Sequence, residues 1–210
     1  MRLMNAYKPH LLACVVLLAV AAIFIASRSK PATAVAPSPK TAEAAHFALF
    51  RAAPKAATTA TSTETDKISR AIAFAASGDV MQPDDLKLAL SKDGLKLHGV
   101  LTDKQLCLAV RESNGGGSFN CAFLPPGNAP ADARKPIFAL DTLVDGTFRV
   151  SGLIPDAFTG AAVSSSQGRV NGVIANNAFS VTTKDSPTAL ILTSASGPET
   201  YPLNVGEPGR

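Results

Sequence analysis

The apolar and polar positions of this chain fall into three regimes. The first is an unbroken apolar run from Leu11 to Ala26, LLACVVLLAVAAIFIA, with no charge and no strongly polar side chain. The second is a helical spacing over residues 66–77, where Ile68, Ala71, Ile72 and Ala75 recur every three or four positions. Asp66 suits the first turn of that helix and Gly78 its stop. The third begins at Leu86, where the period becomes two.

In that third regime Leu86, Leu88 and Leu90 alternate with other residues, and Lys92-Asp93-Gly94 supplies a hairpin turn. Leu95, Leu97 and Leu101 alternate again before a turn at Thr102-Asp103-Lys104. Leu106, Leu108 and Val110 follow, then the glycine-rich turn Ser113-Asn114-Gly115-Gly116-Gly117 and a strand over 118–123. This predicts a four-strand meander. A proline-rich loop over 125–135 separates it from a second β region. There, 137–140 reads as a short strand or helix, and strands are predicted at 147–154, 159–165, 169–175, 178–183, 188–195 and 200–205. Asn176-Asn177 is a tight turn, since Asn tolerates positive φ. Short strands at this spacing predict an antiparallel β-sandwich or barrel-like domain, and the break at 125–136 allows two linked sheets.

The apolar run sets the compartment. Sixteen residues of helix reach roughly 24 Å, short of a ~30 Å hydrocarbon core. Arg28 and Lys30 snorkel and Tyr7 and His10 sit at the interface, so a thin or compressed bilayer accommodates it. The competing reading is a cleaved signal peptide and a secreted protein, with Arg2 and Lys8 ahead of the apolar region. Its best small-x-small site, Ala32-Thr33-Ala34, is separated from the run by Arg28 and Lys30, which favours a retained signal anchor. Cys14 closes a Leu-Leu-Ala-Cys string like a lipoprotein box, but too little apolar chain precedes it. The expected organisation is a cytosolic tail over 1–10, a transmembrane anchor over 11–26 contacting membrane lipid, a linker over 27–65 and an extracytoplasmic domain over 66–205.

The linker is read from composition: of 39 residues, twelve are Ala, eleven Ser or Thr and four Pro, too little apolar surface to offset the entropy of ordering. One island interrupts it over 46–50, where Phe47, Leu49 and Phe50 are costly to leave in water. Two readings stand for this docking motif: it packs on the chain's own domain or the membrane surface, or it grips a protein partner in the envelope.

Charge separates along the same boundary. Residues 1–60 carry seven Lys or Arg against one acid; residues 61–210 carry thirteen against fifteen. The basicity thus flanks the apolar run, where anionic headgroups attract it. The domain has no basic stripe and no Trp, which disfavours nucleic acid as a partner.

Cys107 and Cys121 lie in the strands flanking the glycine-rich turn. With a three-residue loop at 113–115 they face each other directly, and with a longer loop they are offset by one pair. A bridge closing about fifteen residues stabilises by about 3 kcal/mol in the chain-entropy model. Disulfides persist outside the cytosol, so the pair places the domain outside the membrane, an orientation that charge flanking both ends of the run leaves open. Two reduced buried thiols are the alternative.

No catalytic motif is found. The glycine-rich turn lacks the Lys-Ser/Thr of a phosphate loop. Only His98 of the three His lies in the domain, so a Ser/His/Asp triad would have to use it. Asp84-Asp85 reads as a solvated turn, and Asp141 with Asp145-Gly146 lacks the carboxylate spacing of a calcium loop. Two Cys and His98 without a fourth ligand make no metal site, and no cofactor is implied.

The strand Leu106-Cys107-Leu108-Ala109-Val110-Arg111, the glycine turn, Cys121 and Gly152-Leu153-Ile154-Pro155-Asp156 resemble a group of bacterial membrane-anchored or secreted proteins with a Cys-paired β-domain. Phe47 to Arg51 is similar to their Phe-rich segment, and the alternation from Arg169 to Thr183 to their later strands. The resemblance covers about residues 46–205 and implies the anchor, the disulfide and the β-domain, but no activity. The expected function is a single-pass envelope protein with a non-catalytic binding or scaffolding domain. The alternatives are an envelope-facing hydrolase or enzyme subunit using His98, and a membrane-anchored sensor.

Overall fold

The structure, a computed structural model, describes residues 36–51, 85–130 and 134–204. The apolar run over 11–26 and the helix expected over 66–77 lie outside the described residues. Among the described residues no helix is long and apolar enough to cross a membrane.

Among the described residues, twelve strands follow two short helices. The helices are α1 (Pro39–Ala44) and α2 (Ala48–Arg51). The first sheet is the expected meander: β1 (Leu86–Lys92), β2 (Leu95–Leu101), β3 (Gln105–Glu112) and β4 (Gly117–Phe123), in that order. Next come β5 (Ile137–Thr142), β6 (Phe148–Leu153), β7 (Phe158–Ser165), β8 (Gly168–Asn171) and β9 (Val173–Ala175). The chain closes with β10 (Ala178–Thr183), β11 (Pro187–Ser194) and β12 (Gly197–Pro202). These eight divide into a middle sheet, β5-β6-β10-β9, and a third sheet, β12-β11-β7-β8. All pairings are antiparallel.

Among the described residues the architecture is therefore a β-stack of three sheets and no closed barrel. The middle sheet is the filling. One core joins Leu97, Leu108 and Val110 of the first sheet to Ile137, Leu153 and Ala178 of the middle sheet. Another joins Val150, Phe179 and Val181 of the middle sheet to Ala161, Val163, Leu190 and Leu192 of the third. Strand alternation sends odd and even side chains of β6 and β10 to these opposite cores.

Local turn chemistry sets the hairpins. Asp93 and Gly94 both have positive φ (50° and 80°), as do Asn176 and Asn177 (45° and 64°). Such two-residue turns match the twist of the strands they join. Residues 137–140, read as strand or helix, are strand. Residues 169–175 differ from expectation: one expected strand is two, β8 in the third sheet and β9 in the middle one. The crossing is at Gly172, where a Cβ would lie 2.5 Å from Val181 Cγ2, so only glycine lets the chain pass this close. The last expected strand, over 200–205, instead begins at Gly197, paired with Ser194 across a turn.

Residues 36–51 are not linker. Ser38 caps α1, its Oγ accepting from Thr41 N at 3.2 Å, with Pro39 following in the first turn. Phe47 is fully buried and Leu49 nearly so, both within the core between the first and middle sheets. Alanine-rich composition suggested disorder, but two large apolar side chains seated in the core contribute toward the ordering cost, as do the bonds from Ala48 and Leu49 to Asp156 and Asn177.

Candidate binding cleft

The face of the middle sheet turned toward the first sheet is graded. Cross-strand register aligns Ile137, Leu153, Ala178 and Ala175 in one row. Ala139, Ser151, Ser180 and Val173 form the next, and Asp141, Arg149 and Thr182 the third. The rows pass from apolar to small and mixed to charged and hydroxylated. The apolar row is sealed by the first sheet. Beyond it the layers part, leaving a cleft of about 340 Å³ lined by Leu90, Lys92 and Leu95 on one side and by Arg149, Ser180 and Thr182 on the other. Val173 and Asn171 close its flank.

Arg149 anchors the polar end. It is buried, with 6% exposure, and its Nη2 donates to Glu112 of β3 and to Asp141 of β5, the latter at 3.3 Å. Asp141 also accepts from Ser118 Oγ at 3.2 Å, and Glu112 from Asn114 Nδ2 at 3.0 Å. The bond from Arg149 holds the Glu112 carboxyl below its ordinary value, against partial burial, which acts the other way. One guanidinium shared by two carboxylates leaves no surplus positive charge, so this is no phosphate cradle. Arg149 Nε finds no hydrogen-bond acceptor among the described residues. A buried donor left unmade costs about 1–3 kcal/mol, and this one is itself shut off from solvent.

The opposite, apolar end is plugged by α2. A Cβ on Gly99 would meet Leu49 Cδ2 at 2.8 Å and Phe50 Cζ at 2.9 Å, so glycine at this position of β2 makes room for the island. The backbone of α2 is clasped from the middle sheet. Ala48 N donates to Asp156 Oδ1 and Leu49 N to Asn177 Oδ1, each at 2.8 Å. Asn177 Nδ2 donates to Asp156 Oδ1 at 2.7 Å, and Arg51 pairs with Asp156 Oδ2 at 2.6 Å. Burial raises the Asp156 carboxyl, but bonds from Asn177, the Ala48 amide and Arg51 outweigh it, and the net direction is down. At α1, Glu43 and Arg134 form a nearly fully buried ion pair at 3.3 Å. Burial raises the Glu43 carboxyl and Arg134 opposes it.

Of the residues singled out from sequence, Phe47 and Leu49 thus lie inside the domain and Phe50 is half-buried beside them. Cys107 and Cys121 form a disulfide across β3 and β4, directly opposite each other with Cα atoms 4.1 Å apart. Glu112 N bonds to Gly116 O, which makes the loop three residues long, the shorter of the two geometries considered. His98 is buried between Leu88 and Ala109 in register, on the face of the first sheet opposite the cleft. Among the described residues no group of three or more His, Cys, Asp or Glu could hold a metal ion.

Sequence reasoning missed Arg149 and Glu112, and weighed Asp141 only as part of a calcium loop. A signal was present: alternate positions read Arg149, Ser151, Leu153 in one strand, Thr182, Ser180, Ala178 in another and Asp141, Ala139, Ile137 in a third. The same polar-to-apolar gradient in three strands marks a half-open layer. No protein-family model matches this chain, and neither a curated protein nor a solved structure is similar to it.

Proposed function

We propose that this chain is a membrane-anchored, envelope-facing binding module, non-catalytic, that takes an extended segment of a protein partner in the cleft between the first and middle sheets. The observation that carries the reading is the cleft itself, an opening of about 340 Å³ lined by Leu90, Leu95 and Val173 and by the polar side chains of Arg149, Ser180 and Thr182. Ser180, Thr182 and Asn171 offer hydrogen-bonding groups to a peptide backbone, and Leu90, Leu95 and Val173 offer apolar contact to a neighbouring side chain. The disulfide and the apolar run over 11–26 support the compartment.

Two measurements test it. Free thiols are blocked in intact cells bearing a Cys14→Ala variant, which is then denatured and labelled with and without reductant. Labelling of Cys107 and Cys121 only after reduction is expected of an extracytoplasmic domain. Thiols already blocked before reduction would sink the compartment. A photo-crosslinking residue is then placed at Thr182 or Asn171 in the full chain. A discrete adduct to one protein from these positions and none from Ser196, on the β11–β12 turn, is expected. Equal adducts from all three would remove the cleft from consideration.

A further inference from the structure

Residues 36–51 sit on the β-stack as a ligand sits on its receptor. Three ion pairs join them to distant parts of the chain: Lys40 to Asp85 at 2.6 Å, Glu43 to Arg134 at 3.3 Å and Arg51 to Asp156 at 2.6 Å. The signs alternate along the segment and are opposite on the seat. The spacing between the three is unequal, so the charge pattern fits in one direction and one register. Backbone groups are read as well. His46 O accepts from Asp156 N, and Ala48 N and Leu49 N donate to the Asp156 and Asn177 side chains, each at 2.8 Å. Two glycines shape the seat. A Cβ on Gly99 would strike Leu49 and Phe50, and one on Gly127 would collide with the Pro37 carbonyl. The seat is thus cut for this sequence in charge, in backbone donors and acceptors and in shape.

We propose that this seat also takes the same segment from a second copy of the chain, so that two copies exchange residues 36–51 and pair through them. Two observations select this occupant. The complementarity in charge and shape is to this sequence, and a second copy necessarily carries it. The covalent join is also long, with 33 residues between Arg51 and Asp85. Their contour reaches up to about 110 Å, against roughly 40 Å for the width of a domain of this size. The tether therefore reaches a neighbour's seat as well as its own. No contact is lost in the exchange, because each seat is filled by an identical segment. The tether gives the chain's own segment a high effective concentration, so pairing grows with the local density of copies. This interface is separate from the cleft and does not depend on what the cleft binds.

The test co-expresses two full chains with different affinity tags, one bearing an aromatic photo-crosslinking residue in place of Phe50, beside Gly99. An adduct from this position to the peptide of the second copy that holds Gly99 is expected, alongside the intrachain adduct. Lys40→Asp is then placed in the crosslinking copy and Asp85→Lys in the other. Each chain now mismatches its own segment and seat, while both cross-pairings are matched in charge. The ratio of interchain to intrachain adduct should rise about tenfold over the unaltered pair. The two tags should also co-purify more strongly when Phe50 is left in place. Intrachain links alone from both pairs would overturn the proposal, as would interchain links to peptides other than the one holding Gly99. An interchain yield unmoved by the charge exchange would mean that copies touch without using the seat, and would overturn it too.

Discussion

The middle sheet meets its two neighbours in opposite ways. Toward the third sheet its rows read Phe138, Gly152, Phe179, Ile174 and then Leu140, Val150, Val181. These close against Ala161, Val163, Leu190 and Leu192 with no polar row until the end. Toward the first sheet the same strands begin apolar and finish with Arg149 between two acids. A strand offers two independent faces because its side chains alternate. Here one face is devoted to holding layers together and the other divides between cohesion and a cleft. The contrast places the fully sealed core and the cleft on different sides of the same three strands.

The largest expected effect tests that division within one strand. Phe179→Ala, on the sealed side, should cost about 3–5 kcal/mol, while Ser180→Ala, one residue on and facing the cleft, should cost under about 1 kcal/mol. Both are read from denaturant midpoints, and similar losses would erase the distinction. The apolar end of the graded interface depends on the docked helices, so Glu43→Gln should cost about 3 kcal/mol by leaving the Arg134 charge buried without its partner. The double change Glu43→Leu with Arg134→Met should cost less than Glu43→Gln alone, because it removes the orphaned charge as well. A loss larger than that of the single variant would mean that the pair contributes more than mutual neutralisation.

The smallest effect concerns pH. The Asp156 carboxyl lies below its ordinary value of 3.8. Its contribution is therefore complete above that value and is lost as pH falls through its folded value. The stability gap between the wild-type chain and Asp156→Asn should shrink between about pH 5 and pH 2, as the wild-type carboxyl protonates. Asp156 is partly solvent-exposed, so screening keeps this gap modest. A gap independent of pH would show that the α2 clasp works through shape and not charge.

Much of the fold was legible because its signals are local. Asp93-Gly94 and Asn176-Asn177 name their turns within two residues, and a three-residue loop at 113–115 is enough to put Cys107 opposite Cys121. What was not legible depends on partners far along the chain. Nothing near Phe47 announces that Gly99 leaves space for its neighbours Leu49 and Phe50, so residues 36–45 read as linker and the island over 46–50 reads either as a docking segment or as a partner motif. Nothing near residue 172 states that the strand changes sheets there, since that follows from the close approach of Val181. The cleft was hidden for the same reason: Arg149 looks like any strand arginine until Glu112, 37 residues earlier, is brought against it. The gradient along β5, β6 and β10 was readable, but only by comparing strands with one another.

The clasp on α2 also has a consequence in time. Ala48 waits for Asp156, 108 residues later, and Leu49 for Asn177, 128 residues later. A chain made or exported from its N-terminus presents Phe47, Leu49 and Phe50 early and closes them late, after most of the strands have emerged. Contacts of such separation form slowly, and apolar groups that wait in the open invite other chains. The island that ends as part of the core thus begins as an exposed apolar stretch. A holding chaperone would meet this stretch before the sheets it finally joins are complete.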